Sequence, residues 1–208
     1  MEGESPPAPK RPLRRDAVEN RERVLTAAAA AILREGENVP LATIAADAGV
    51  GVGTLYRRYA NREELFSDLQ LRAYRMVITA LRDADAQGDS GLHGVQLFLE
   101  QTVRHRSQLI LPLHGAPELA TPEAAILRAE LGQAMAALLG RGKADGSVRS
   151  DLEPFDVVVF GSMLAQGLSG INDWEAVTQG QIRLFLAGIA GPQAPEPSAS
   201  RSRSASPR

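Results

Sequence analysis

The sequence predicts an all-α protein: a small N-terminal three-helix unit built around a helix-turn-helix, then a larger helical region, about nine helices in all. Three observations predict it. Apolar residues recur at helical spacing in segment after segment. Aromatic residues make up only 4% of the chain, too few for a sheet-rich core. Two short apolar stripes meet at Gly49-Val50-Gly51 behind a long first helix, which is the spacing of a helix-turn-helix.

The elements follow in order. From Asp16 to Leu33, Val24, Leu25, Ala28, Ala31 and Ile32 form one apolar face, and Gly36 follows as the residue just past the helix end. Leu41, Ile44, Ala45 and Ala48 form a second, short stripe with Pro40 read as its first helical residue and Gly49 as its stop. So short a helix must be packed against its neighbours. A third helix runs from Gly51 or Val52 through Tyr59. A fourth, capped by Asn61 with Glu63 and Glu64 at its positive end, continues through Leu65, Leu69, Ala73, Met76, Val77 and Ala80 to the breaker QGDSG. Beyond it, helices are expected at 92–110, 122–139, 154–169 and 173–190, with Thr121-Pro122 as a start signal and Gly140 as a stop.

Residues 1–16 and 191–208 combine Pro, Ser and charge without periodicity and read as a disordered basic arm and a disordered tail. Between them, residues 17–61 form the expected helix-turn-helix domain and 62–190 the larger helical domain. The cations of the arm, Lys10, Arg11, Arg14 and Arg15, sit beside the first helix, where they solubilise the chain or touch DNA.

Bulk properties narrow the class. A chain of 208 residues can bury a substantial core, and the absence of cysteine excludes disulfides, thiolate metal sites and a cysteine nucleophile. The N-terminal run has no apolar signal core, and no stretch approaches the roughly 18 apolar residues of a membrane span, so a cytoplasmic location is expected. Net charge is -2 but uneven: residues 10–75 hold 12 Lys/Arg against 9 Asp/Glu, and residues 76–191 hold 8 against 13. That asymmetry suits a nucleic-acid-facing domain joined to one that is not.

The glycines of GVGVGTLYRRYANREEL carry the sharpest signal. Each costs roughly 1 kcal/mol in a helix interior relative to alanine, so a plain helix would avoid them. In a helix-turn-helix, Gly49 permits a left-handed turn, Ala45 is small where the helices cross, and Val50 and Leu55 plug the core. The second helix enters the major groove with its N-terminal end, where Gly51 and Gly53 allow close backbone approach. Thr54 and Tyr56 supply hydroxyls for phosphate, and Arg57 and Arg58 add charge.

LATIAADAGVGVGTLYRRYANREEL resembles the DNA-binding domain of the tetracycline-repressor (TetR) family, whose pattern is an Ile-Ala pair, Ala-Gly-Val, Gly-Thr-Leu-Tyr, an aromatic and a Lys/Arg-Glu-x-Leu helix start. The resemblance covers about residues 17–75. It implies an all-helical homodimer whose N-terminal domain binds a pseudo-palindromic operator and whose C-terminal domain binds a small effector that releases the DNA. By position it implies DNA contacts from Gly53, Thr54, Tyr56, Arg57 and Arg58, a phosphate contact from Arg62, and burial of Leu55 and Tyr59. Three positions depart from the pattern: Pro40 replaces a capping Thr or Ser, Gly51 a capping Ser, and Val52 a polar residue. Val52 is suited to a thymine methyl rather than a hydrogen bond.

The same resemblance turns some apolar residues of the C-terminal half towards an effector cavity, with Phe98, His105, Leu109, His114, Phe160 and Gln166 as candidate ligand-binding residues. The last two helices carry Gly161, Ala165, Gly167 and Gly188 among aliphatics, which suits a close-packed four-helix dimer interface.

Enzyme signatures fail on context. GVGVG lacks the third spaced glycine of a dinucleotide fingerprint, and GRGKA at 140–144 lacks the hydroxyl of a phosphate loop; both read as turns. His93, His105 and His114 are too irregularly spaced to place two ligands on one helix face, so no metal and no cofactor are expected. The sequence therefore reads as a non-enzymatic, ligand-responsive DNA-binding regulator. The alternatives are a helical nucleotide-binding protein and a helical protein-interaction scaffold without operator binding.

Overall fold

The computed structural model describes residues 12–111, 116, 118–166 and 171–193. The elements are α1 (Pro12–Glu35), α2 (Leu41–Asp47), α3 (Val52–Arg58), α4 (Arg62–Gln87), α5 (Gly91–Arg104), a 3-10 turn (Arg106–Gln108), α6 (Pro122–Ala144), α7 (Pro154–Ala165) and α8 (Trp174–Ile189). No strand occurs among the described residues; an isolated antiparallel bridge joins Val148 to Ala190. The terminal segments 1–11 and 194–208 lie outside the described residues.

The helix-turn-helix forms for the reasons its sequence suggests. Leu25, Ala28, Ile44, Ala45 and Leu55 are buried together, and Gly49 makes the turn between α2 and α3 with φ +64. Two boundaries differ from expectation. α1 starts at Pro12, four residues before Asp16, so Arg14 and Arg15 ride on a helix rather than a disordered arm. Pro40 is the N-cap of α2, not its first helical residue: with φ -61 and ψ 141 it is extended, and its carbonyl accepts from Thr43 and Ile44. The core of this unit extends beyond residue 61, taking in Leu65 and Leu69 of α4 and Ile110 from the chain after the 3-10 turn.

Three helices were expected at other lengths. The run 92–110 is interrupted because Leu109, Ile110 and Leu111 are shared out between two cores: Leu109 and Leu111 pack with Tyr74 and Leu127, and Ile110 packs beneath the helix-turn-helix. On a helix consecutive side chains are turned by only about 100°, whereas an extended stretch can send neighbours to opposite sides. α6 continues through Gly140 to Ala144, so GRGKA is helix, not a turn. Within it Arg141 reaches Asp85 at 2.7 Å, and Gly142 lies so close to Gly91 that a Cβ on Gly91 would fall 2.1 Å from the Gly142 Cα. α7 ends at Ala165 rather than 169, and its unpaired Leu164 carbonyl accepts from Trp174 Nε1 at 2.8 Å, tying α8 to α7.

α4 joins the two halves. Its first turn is capped by Asn61, whose side chain accepts from the Glu64 amide at 2.9 Å, while Glu64 accepts from the Ala60 amide at 2.9 Å. Its middle packs on α5 and α6 through Tyr74, Ile78 and Leu81. No described helix is long and apolar enough to cross a membrane.

Candidate functional site

α3 presents a face with little side-chain bulk at its N-terminal end. Gly51, Val52, Gly53, Thr54, Tyr56, Arg57 and Arg58 are all exposed, and Leu55 is the buried anchor between them. The protein itself gives no reason for Gly53. A Cβ built there meets nothing within 4 Å, and φ is not in the left-handed region. The same test at Gly51 finds only the neighbouring Thr54 hydroxyl, at an ordinary 3.7 Å. Gly49, by contrast, is required by its positive φ. Arg57 donates to the Thr54 hydroxyl at 3.0 Å, which sets both groups on one exposed face.

Arg58 and Arg62 are engaged elsewhere. Arg58 Nε donates to the Tyr59 hydroxyl at 3.3 Å, and its guanidinium lies 5.6 Å from the Tyr59 ring centre. Arg62 donates to the carbonyls of Glu37 and, at 2.6 Å, Val39, so it clamps α4 to the loop between α1 and α2.

Beneath the exposed face lies a network that sequence reasoning missed. The Tyr59 hydroxyl donates to Asp68 Oδ2 at 2.6 Å, and Arg21 donates to both oxygens of the same carboxylate, with Nε at 3.0 Å. One carboxylate thus fastens α1, the end of α3 and α4. Burial pushes the Tyr59 hydroxyl up, reinforced by its bond to Asp68, to about 12. Burial also pushes the Asp68 carboxyl up, but the bonds from Arg21 and Tyr59 outweigh it and leave Asp68 below its ordinary value. Arg21 and Asp68 stand 47 positions apart, and no local signal pairs them.

In the C-terminal half, a cavity of about 440 Å³ opens between α4, α5, α6 and α7. Tyr74, Val77, Phe98, Leu109, Leu111, Leu131, Met135 and Val158 supply most of its wall, with Arg128 and Glu118 at its edge. Of the candidate ligand residues, Phe98 and Leu109 line it. Phe160 does not; it stacks on Phe185 with ring centres 4.0 Å apart and locks α7 to α8. Gln166 caps the exposed end of α7, and His114 lies outside the described residues. His105 belongs to a second, more polar cavity of about 480 Å³ against α1, lined also by Arg21, Glu22, Arg72 and Gln101. The residues that sequence reasoning missed, Tyr74 and Arg128, lie on helices it placed but whose inward faces it could not rank.

One side chain ties the two halves together. Arg72 of α4 donates to Glu22 of α1 at 2.8 Å, to Thr26 of α1 at 3.2 Å and to Gln108 of the 3-10 turn at 2.7 Å. No group of three or more His, Cys, Asp and Glu side chains arranged to hold a metal occurs among the described residues.

Large apolar side chains remain uncovered on the last two helices. Met163 on α7 is 63% exposed and Leu184 on α8 is 69% exposed, and Phe155 at the start of α7 projects likewise. A Cβ on Gly188, one turn beyond Leu184, meets nothing within 4 Å.

Comparison with known proteins bears on both halves. The family model described as bacterial regulatory proteins, tetR family, matches residues 24–69. A HTH-type transcriptional regulator, SAB2452 of Staphylococcus aureus (strain bovine RF122 / ET3-1), is 41% identical over 54 residues, which are 26% of this chain and only 29% of that relative. The crystal structure of a TetR transcription regulatory protein from Mycobacterium vanbaalenii superposes with a TM-score of 0.65 at 25% identity, covering 86% of this chain and 99% of that one. The TetR transcriptional regulator SCO0520 from Streptomyces coelicolor gives a TM-score of 0.64 at 23% identity over 83% and 99% of the two chains. A gamma-butyrolactone receptor described as ArpA-like gives 0.61 at 20% identity over 84% and 89%. The helix-turn-helix thus matches the tetR family of bacterial regulatory proteins by sequence over residues 24–69, and the architecture over most of the chain is similar to that of solved TetR regulators.

Proposed function

We propose that this chain is a homodimeric, sequence-specific DNA-binding transcriptional repressor that a small-molecule effector releases from a pseudo-palindromic operator. The observation that carries the reading is the exposed tip of α3, where Gly53 lacks a side chain that nothing in the protein itself excludes. An outside surface that must come within backbone reach, such as the floor of a major groove, accounts for that absence. In this reading Val52 meets a thymine methyl, Thr54 and Tyr56 meet phosphate or base edges, and Arg57 and Arg58 add charge. Arg58 would have to leave Tyr59 to do so, and Arg62 acts by bracing the loop it now holds, or reaches phosphate after leaving it.

The uncovered apolar residues of α7 and α8 support dimerisation through those helices, which would set two α3 tips about one DNA turn apart, roughly 34–36 Å. The apolar cavity supports effector binding, and the gamma-butyrolactone receptor among the structural neighbours shows that this fold is used by a small-molecule receptor. An effector acts by binding the DNA-competent and released dimers with different affinity.

Selection of bound duplexes from random fragments, followed by titration against salt, tests the reading. The expected result is a recovered palindrome-like sequence and a steep, linear fall of log affinity with log salt. Indifference to every duplex at low salt would overturn it.

A further inference from the structure

We propose that the cavity between α4 and α7 takes a ligand with an apolar body and a single carboxylate, and that this carboxylate replaces Glu118 as the partner of Arg128. The proposal rests on reading the cavity as an effector site and names the chemical class that fits it.

Most of the wall can offer a ligand only hydrocarbon contact. Its two aliphatic hydroxyls are already committed as donors: Thr102 Oγ1 donates to the Phe98 carbonyl at 3.0 Å and Ser162 Oγ to the Val158 carbonyl at 2.8 Å. What remains is a pair of donors, Tyr74 and Arg128, beside the largely exposed carboxylate of Glu118. Tyr74 is 5% exposed and lines the cavity, and its hydroxyl has no hydrogen-bond partner among the described residues. Arg128 donates to the Leu119 carbonyl at 3.0 Å through Nη1, which leaves Nη2 facing Glu118 at 3.8 Å. The guanidinium can only donate and carries a fixed positive charge, and the phenol hydroxyl can donate beside it, so together they suit an anionic acceptor.

The Glu118 contact identifies that acceptor. At 3.8 Å it is an ion pair without a hydrogen bond, and the Glu118 side chain is 71% exposed against 34% for Arg128. A pair so open to water contributes little. A carboxylate arriving from the cavity side could bond Arg128 at hydrogen-bond distance in a drier setting, the stronger arrangement. A neutral ligand would leave the pair as it stands. Glu118 is therefore an internal competitor that holds the place until the ligand's own carboxylate takes it.

Isothermal titration and thermal melting of the full chain test this, using octanoate, decanoate and 4-phenylbutanoate beside the methyl ester of each. At least one acid should bind tenfold or more tightly than its ester. Arg128→Met should abolish that preference while leaving ester binding in place, Tyr74→Phe should weaken the acid several-fold, and Glu118→Gln should tighten it several-fold. Unchanged circular dichroism and melting would show that Arg128→Met folds; if it does not fold, the surface variant Glu118→Gln carries the test, and failure to tighten counts against the proposal. Esters binding as well as acids would overturn the carboxylate class and leave the effector reading intact. Acids binding selectively without altering duplex affinity would leave the class standing and overturn the regulatory reading. Binding by no acid in the series would overturn the proposal.

Discussion

Leu109 and Ile110 are consecutive in the chain and serve opposite cores: Leu109 lines the apolar cavity, and Ile110 is buried beneath the helix-turn-helix. Their neighbour Gln108 accepts from Arg72, which also holds Glu22 and Thr26 of α1. A change in the cavity wall therefore has a covalent route of one residue to the core under α3. Gln108→Ala should keep operator affinity within a few-fold while cutting the effector's influence, which for such couplings is typically about 1–3 kcal/mol. Duplex dissociation constants with and without effector measure this. Ile110→Ala should do the same and also lower stability by about 2–5 kcal/mol, read by denaturant unfolding.

Gly53 and Gly49 should separate function from folding. Gly53→Ala meets no atom of its own chain and should hold or slightly raise stability, by about 0.4–1 kcal/mol, because alanine has less freedom to lose. Operator affinity should nevertheless fall at least tenfold in a mobility-shift titration. Gly49→Ala should instead destabilise the fold by about 1–2 kcal/mol, since its φ of +64 is strained for any L side chain.

The Tyr59–Asp68 bond sets a pH window. Asp68 lies below its ordinary value in the folded state, so its contribution is complete above the unfolded carboxylate range and is lost as pH falls through the folded value. Tyr59 moves the other way: raised to about 12, it contributes fully below the unfolded tyrosine value of about 10 and loses that contribution as pH rises through the folded one. Tyr59→Phe should cost about 1 kcal/mol at neutral pH. Without its hydroxyl donor, Asp68 should titrate higher, so melting curves should show acid unfolding beginning at a higher pH than in the parent protein.

Leu184 projects from α8 with 69% of its surface uncovered. Leu184→Glu should leave the protomer's stability within about 0.5 kcal/mol, as expected of a surface change. In sedimentation analysis it should shift dimer to monomer, and palindromic duplex affinity should fall with it. A variant that stays dimeric would move the interface away from this face.

Gly142 is closely packed on two sides. A Cβ there would lie 2.6 Å from the Val148 side chain and 3.2 Å from the Gly91 Cα. Gly142→Ala should destabilise by about 1–3 kcal/mol through overpacking, measured by urea unfolding, whereas Gly140→Ala, with nothing within 4 Å, should not.

The fate of these two glycines shows what was legible in the sequence. Helix type and order could be read because apolar spacing and caps such as Asn61 and Thr121 are local signals. Gly140 looked like a stop because propensity is local too, but α6 runs on through it, where the approach of Gly91 and the Arg141–Asp85 bond hold the last turns. The α3 tip was legible because its glycines are costly in a helix and its neighbours fit a specific pattern. The cavity was only half legible: Phe98 and Leu109 line it, but helical spacing cannot tell an inward Tyr74 from a core tyrosine, nor foresee that Phe160 stacks on Phe185. Arg21, Asp68 and Arg72 act across tens of residues, and long-range pairs leave no periodic trace.

The 26 residues of α4, from Arg62 beside α3 to Gln87 beside α5, form a rod about 39 Å long at 1.5 Å per residue. Pivoting it by only about 5° at the Gln87 end carries the Arg62 end sideways by about 3 Å, close to the 3.4 Å rise of one base pair. In a two-fold assembly both ends move, so the spacing of the two tips changes by up to about 7 Å against a target of roughly 34 Å. An angular adjustment that side-chain repacking around one small molecule can supply is thus geometrically sufficient to put a dimer out of step with its DNA.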